Sequence, residues 1–204
     1  MQIKQICKHA NVMERGAIVL RARATYVQLE GEGYEKFNAC YEQAALAYLS
    51  WAQNKQGKIL KEEYAARKSD RIFGFRPMLC HMEMRVVQQQ GRFWSVVVDS
   101  IKDSGIRGEY PICHRSADVW DMQRGVIIPM KYFLTHVPEL RPLRVGGKRP
   151  EGLWLDQGEV VLYHNAVSGE YAEQHTGLHI DFAPKKGNGL QDVVPVLAEM
   201  TQNI

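Results

Sequence analysis

The chain has 204 residues and a mass of 23.3 kDa. A chain of that length buries roughly 70% of the surface it exposes when unfolded, so it needs neither a metal nor a disulfide merely to fold. Hydrophobic residues make up 45% and charged residues 24%, which excludes a largely disordered chain. The apolar runs around residues 126–130 and 193–197 fall far short of the roughly 20 residues a bilayer span needs. Lys plus Arg is 26 and Asp plus Glu is 23, a net charge of +3. Without a concentrated basic face, that bias does not point to nucleic acid.

Residues 1–16 read as an N-terminal lead. They contain no apolar core of the length a secretory signal requires, so the expected address is cytoplasmic. Residues 17–29 begin as an apolar run and then alternate, the period of a half-buried strand. Glu30-Gly31-Glu32-Gly33 breaks it. A long amphipathic helix is predicted over 34–54, with Phe37, Tyr41, Ala44, Tyr48 and Trp51 on one stripe and Gly57 as its stop. Residues 61–68 read as a short polar helix.

From Leu79 the period becomes two. Cys80, Met82, Met84 and Val86 point one way, and His81, Glu83, Arg85 and Val87 the other. Gln90-Gly91 turns the chain into a Val-rich strand over 93–101, and a third strand runs through 110–122. Successive strands without crossover helices predict an antiparallel meander. An extended piece over 126–128 leads into a short helix over 129–136, which Pro129 suits as a first-turn residue. A loop over 141–152 precedes a hairpin, 153–155 and 159–164, turning on Asp156-Gln157-Gly158. Gly177 reads as a turn before a last strand over 178–182, then a linker over 184–189 and a terminal helix over 191–200. The expected class is α+β: an antiparallel meander sheet packed against one long amphipathic helix, with short peripheral helices. The α+β domain would span 17–183, possible as two subdomains meeting near 105, with 184–204 as linker and C-terminal helix.

Several motifs resemble a known family. They are Trp120-Asp121-Met122 with Gly125, Met130-Lys131-Tyr132-Phe133, the "Leu-Trp-Leu-x-x-Gly-x-Val-Val-Leu-Tyr" run over 153–163, and Tyr171-Ala172-Glu173 with Gly177. The set is similar to the paired domains of unknown function in the extracellular half of the lysozyme-sensing anti-sigma-V factor. Similar domains precede the catalytic part of some peptidoglycan deacetylases. The resemblance covers about residues 17–183 and implies a non-catalytic sensing or binding module, in a family that is usually extracytoplasmic. Where that family carries a Gly-Gly-Ala-His-type segment, this chain has Arg107-Gly108-Glu109-Tyr110.

Catalytic signatures are missing. There is no G-x-S-x-G elbow, no H-E-x-x-H and no complete G-x-G-x-x-G. The four cysteines, Cys7, Cys40, Cys80 and Cys113, form no C-x-x-C and read as reduced thiols. No cofactor is implied. A binding module would use its loops, with Arg107 and Tyr110 in one and Arg141 and Arg144 in the other, Trp154 as an exposed aromatic, and His164, Glu173, His175 and His179 as further candidate contacts. The ligand would be a protein, peptide or glycan. An alternative reading is a small metal-dependent or acid–base hydrolase built on His164, His175 and His179 with Glu173. A mixed metal site from Cys80, Cys113 and His114 is a second alternative, and a structural homo-oligomer a third.

Overall fold

The computed structural model describes residues 2–67, 75–166 and 169–180. The linker and terminal helix expected over 184–204 lie outside them, as do Asp181 and Phe182. The described chain is α+β, as its alternating periods predict. Strands β1 (Gln2–Glu14), β2 (Ala17–Glu30), β3 (Met78–Gln90), β4 (Phe93–Asp103), β5 (Ile112–Asp121) and β6 (Val126–Ile128) form one sheet in that order. A second sheet contains β7 (Gly152–Asp156), β8 (Glu159–Asn165) and β9 (Tyr171–His179). Every pairing is antiparallel except β2 with β3. Helices α1 (Glu35–Trp51) and α2 (Gly57–Arg67) fill that crossover, because a parallel pair needs a long connection. Among the described residues, no helix is long and apolar enough to cross a membrane.

Three elements differ from the sequence reading. Residues 2–14, expected as a lead, form β1. Ala10 and Val12 are buried with the α1 side of the core, but on the same side Lys8 reaches Glu42 on α1 at 2.7 Å. A charged residue on the inward side hid the alternation. Gly57 does not stop the helix. The chain runs on through a π-helical stretch, Ala52–Gln56, into α2, and Gly57 itself is right-handed helical. What Gly57 supplies is room: a Cβ there would lie 2.7 Å from Cγ2 of Val12 on β1. The last strand starts earlier than expected, because β9 pairs with β8 from Tyr171 and takes in Gly177 at φ +70° as an interior residue.

The main sheet separates two cores. On its first face, Cys80, Met82 and Met84 of β3, Val96 of β4 and Trp120 of β5 pack under Phe37, Tyr41, Ala45 and Leu49 of α1. On the second face, Phe93 and Val119 meet Phe133 of α3 (Met130–His136) and Leu153, Leu155, Val160 and Leu162 of the small sheet. Val97 meets Trp154, Val161 and Tyr163 there. The motif Trp120-Asp121-Met122 with Gly125 is explained by a turn. Asp121 is fully buried, its carboxylate accepts the N–H of Gln123, and its carbonyl accepts the N–H of Gly125 at 2.8 Å.

One charged joint fastens the small sheet to the large one. Arg115 of β5 is buried, and its guanidinium forks onto Asp99 of β4 at 2.6 and 2.8 Å. It also donates to Glu173 of β9 at 2.7 Å and stacks on Tyr171, 3.7 Å from the ring centre. Arg85 of β3 shares Asp99 at 2.7 Å. Burial pushes the Asp99 carboxyl up, but the hydrogen bonds and charge of Arg115, then of Arg85, outweigh it and hold it below the usual range. A bidentate arginine pair of this kind is directional as well as charged.

Two outcomes check this packing by urea unfolding. Gly57→Ala should destabilise the protein by about 1 kcal/mol, since overpacking of roughly 1–3 kcal/mol outweighs the roughly 1 kcal/mol helix preference of alanine over glycine. In a Val12→Ala background the sign should reverse; a stabilising Gly57→Ala in the wild type would contradict the contact. Arg115→Met should cost about 2 kcal/mol near neutral pH, because Asp99 keeps Arg85 but loses the guanidinium fork, while Glu173 falls back on solvent. A depressed carboxyl contributes stability above its unfolded value of about 3.9, and loses it as pH falls through the folded value. The gap between wild type and Arg115→Met should therefore narrow below about pH 4.

Candidate functional site

The first face of the sheet is not wholly covered. Buried positions on α1 run Phe37, Tyr41, Ala45, Leu49, so past Tyr41 the core stripe sits one residue beyond the predicted Ala44–Tyr48–Trp51 stripe. Ala44 is exposed, and Tyr48 and Trp51 are half-buried. These three, with Cys40 and Tyr41, form one wall of a groove. Met82, Val98, Ser100, His114, Ser116 and Asp118, from β3, β4 and β5, form its floor and other wall. All six are on one face of the sheet, because the register aligns Met82, Ser100 and His114 in one row, Val98 with Ser116, and Asp118 one row on. The cavity volume is ≈ 520 Å³, within the range of small-ligand sites.

Asp118 gives the groove its chemistry. The indole N–H of Trp120 donates to the Tyr41 hydroxyl at 2.7 Å, and that hydroxyl donates to Asp118 Oδ2 at 2.9 Å. No ion pair reaches Asp118 among the described residues. Burial pushes its carboxyl above the usual range, and the Tyr41 hydrogen bond offsets only part of that. The neighbouring Cys40 thiol is also pushed up, by burial and by the charge of Asp118. The Tyr48 hydroxyl lies 3.2 Å from both the His81 and Ile101 carbonyls, which holds its ring against the groove wall. The arrangement is a half-desolvated carboxylate at one end of an apolar trough, with hydroxyls and an imidazole along the floor. Such a site can take a cation or hydrogen-bond donor on an apolar stem.

Of the site residues singled out in the sequence, His114 lines this groove and the others lie elsewhere. Tyr110 is 86% exposed, and Arg107 is exposed in the same β4–β5 loop. Arg141 and Arg144 donate to carbonyls of their own neighbourhood, Leu134 and Leu143 among them, and serve the loop that carries them. Trp154, expected as an exposed aromatic, is 5% exposed, because its strand is sandwiched against β4. The three late histidines do not share one site. His164 pairs with Ala172 and His175 with Val161, so the alternation of β8 and β9 puts them on opposite faces of the small sheet. His164 places Nδ1 2.9 Å from Glu151, while its buried Nε2 has no partner among the described residues. His175 gathers on Glu159 at 3.2 Å, and the charge of His179 also acts there. Glu173 belongs to Arg115 instead. The mixed metal set fails on register as well. Cys80 faces α1 with Met82, whereas Cys113 pairs with Ile101 on the opposite face, and only His114 returns to the first face. Among the described residues, no group of three or more His, Cys, Asp or Glu is placed to hold a metal.

No protein-family model and no curated protein matches the sequence. Solved structures do match the fold. A DUF3298 family member from Bacteroides fragilis superposes with a TM-score of 0.58 over 97% of this chain and 97% of its own, at 10% identity. A DUF3298 family protein from Pseudomonas aeruginosa gives 0.50 over 86% of this chain and 90% of its own, also at 10% identity. The likeness is one of fold: the chain is built like these domains of unknown function.

Asp118 gives a direct check. A carboxyl raised in the folded state loses stability as pH climbs from its unfolded value of about 3.9 through the folded one, and carries the deficit at neutral pH. Asp118→Asn keeps an acceptor for Tyr41 and removes the charge. It should raise the Tm by a few degrees at pH 7, at about 2–4 °C per kcal/mol for a chain of this size. The gain should vanish at pH 3. A variant less stable at pH 7 would show that Asp118 is a structural anchor.

Proposed function

We propose that this protein is a binding module without catalysis of its own, and that the groove between α1 and β3–β5 seats its ligand. The observation that carries the reading is Asp118, a half-desolvated carboxylate without a counter-charge among the described residues, at the end of an apolar, aromatic-walled trough. A carboxylate held that way raises folding free energy unless something else gains from it, as expected of binding sites. The ligand best matched is a short peptide segment that presents a lysine, arginine or terminal amine beside an apolar side chain. The cation would meet Asp118, and the apolar group would lie against Tyr48, Trp51 and Val98.

The resemblance to the sensor domains of the anti-sigma-V factor supports the same reading. In that reading the groove reports the arrival of a peptide or protein partner. The hydrolase alternative loses support from the separation of His164 and His175 across the small sheet.

The test is selection of peptides on the purified protein, followed by titration monitored by tryptophan fluorescence. Selected sequences should be enriched in a basic residue next to an apolar one. Asp118→Asn should weaken their binding by about tenfold or more, the scale of a charge-assisted hydrogen bond, and Trp51→Ala should weaken it comparably. Peptides that bind both variants as tightly as the wild type would place the site elsewhere.

A further inference from the structure

On its second face the main sheet meets the small sheet through β3, β4 and β5, and its outer strand, β1, carries an exposed thiol. Cys7 does not stand alone. His9, two residues along β1 and on the same face, places Nε2 3.2 Å from the Cys7 sulfur. Arg23 of β2 donates its Nε–H to that sulfur at 3.1 Å, and the Thr25 hydroxyl donates at 3.7 Å. The register accounts for the convergence, since Cys7 pairs with Thr25 and His9 with Arg23. One sulfur is thus met by an imidazole nitrogen and two donors, one of them a guanidinium. Thiolates form in electropositive, accessible surroundings of this kind.

From this geometry we propose that Cys7 is a nucleophilic thiol that accepts reversible thiolation from low-molecular-weight disulfides bearing carboxylates. His9 Nε2 takes the thiol proton, and Arg23 and Thr25 steady the sulfur anion. The thiolate attacks one sulfur of the disulfide. A protein–ligand S–S bond forms and the ligand's own S–S bond breaks. The departing thiolate takes up a proton, so one thiol is consumed and one released, and the disulfide supplies the oxidising equivalents. The carboxylates meet Arg23 and the exposed Arg21, which lies one row further on the same face. Glu83, across Thr25 on β3, is the acidic group of that surface nearest in register, and His81 lies across Arg23.

The other cysteines differ in every respect that matters. Cys80 is buried and its thiol is pushed up to about 11 by that burial. Cys40 is pushed up likewise beside Asp118. Cys113 is half-buried, and no charged donor is seen on its sulfur among the described residues.

The experiment uses the full chain with glutathione disulfide as the probe. Adducts are located by peptide mass mapping, and rates are read for wild type, Arg23→Gln and His9→Gln between pH 6 and 9. Cys7 should be modified first, roughly three- to tenfold faster at pH 7 than the same cysteine in a peptide of residues 2–10. Arg23→Gln and His9→Gln should each remove most of that advantage. Arg23→Gln should also erase a preference for glutathione disulfide over the uncharged hydroxyethyl disulfide. Equal rates for Cys7 in the protein and the peptide, or faster reaction at Cys40 or Cys113, would overturn the proposal.

Discussion

The position of α1 on the sheet depends on one aromatic cluster around Phe37. Phe37 and Tyr41 pack edge-on against each other, and Phe37 packs edge-on against Trp94 and Trp120. The hydrogen-bonded chain from Trp120 through Tyr41 to Asp118 then fixes the rotation of the helix. With the N-terminal half held this way, the later turns rest on Ala45 and Leu49 and lean toward β2. Tyr48 and Trp51 are left over the floor of β4 and β5, which they do not close. The groove follows from that lean, and the same tyrosine that anchors the helix orients the groove's carboxyl.

The main sheet then works as a partition with different tasks on its two faces. On one face, aromatic packing and a desolvated carboxylate make a site for a ligand. On the other, the fork of Arg115 on Asp99 and its reach to Glu173 dock the small sheet at the β5 end. The β1 end of that face remains open, and there polar residues brought into register surround the Cys7 sulfur. Both faces of β5 carry desolvated polar groups in a single strand: the buried Arg115 points one way and the half-buried Asp118 the other. Polar residues buried with specific partners fix orientation where apolar packing alone would tolerate slippage.

Legibility in the sequence tracked how well period and polarity agreed. The helix over α1, the strands β3 and β4, and the β7–β8 hairpin all show clean periods bounded by Gly or turn residues, and the structure has them where the pattern puts them. β1 escaped because Lys8 points inward to Glu42 while Cys7 and His9 point outward. The early part of β9 escaped because its run from Tyr171 to Gln174 is mostly polar and Gly177 imitates a turn. The groove had no local signature. It depends on a one-residue advance of the buried stripe along α1, which only the distant contact with Trp120 decides. Asp118 and Arg115 look like ordinary surface charges in sequence, and their burial is a property of register across β4, β5 and β9. The basic loop residues and late histidines drew attention as chemical types, but they serve local turns and strand pairs.

The central claim is that Asp118 waits for a positively charged group. A side-chain carboxyl titration of Asp118 by carbon NMR, in the free protein and at saturation with a selected basic peptide, measures that directly. The account predicts a midpoint above the ordinary aspartate range in the free protein and a marked fall when the peptide binds. A midpoint unchanged by saturating peptide would contradict it.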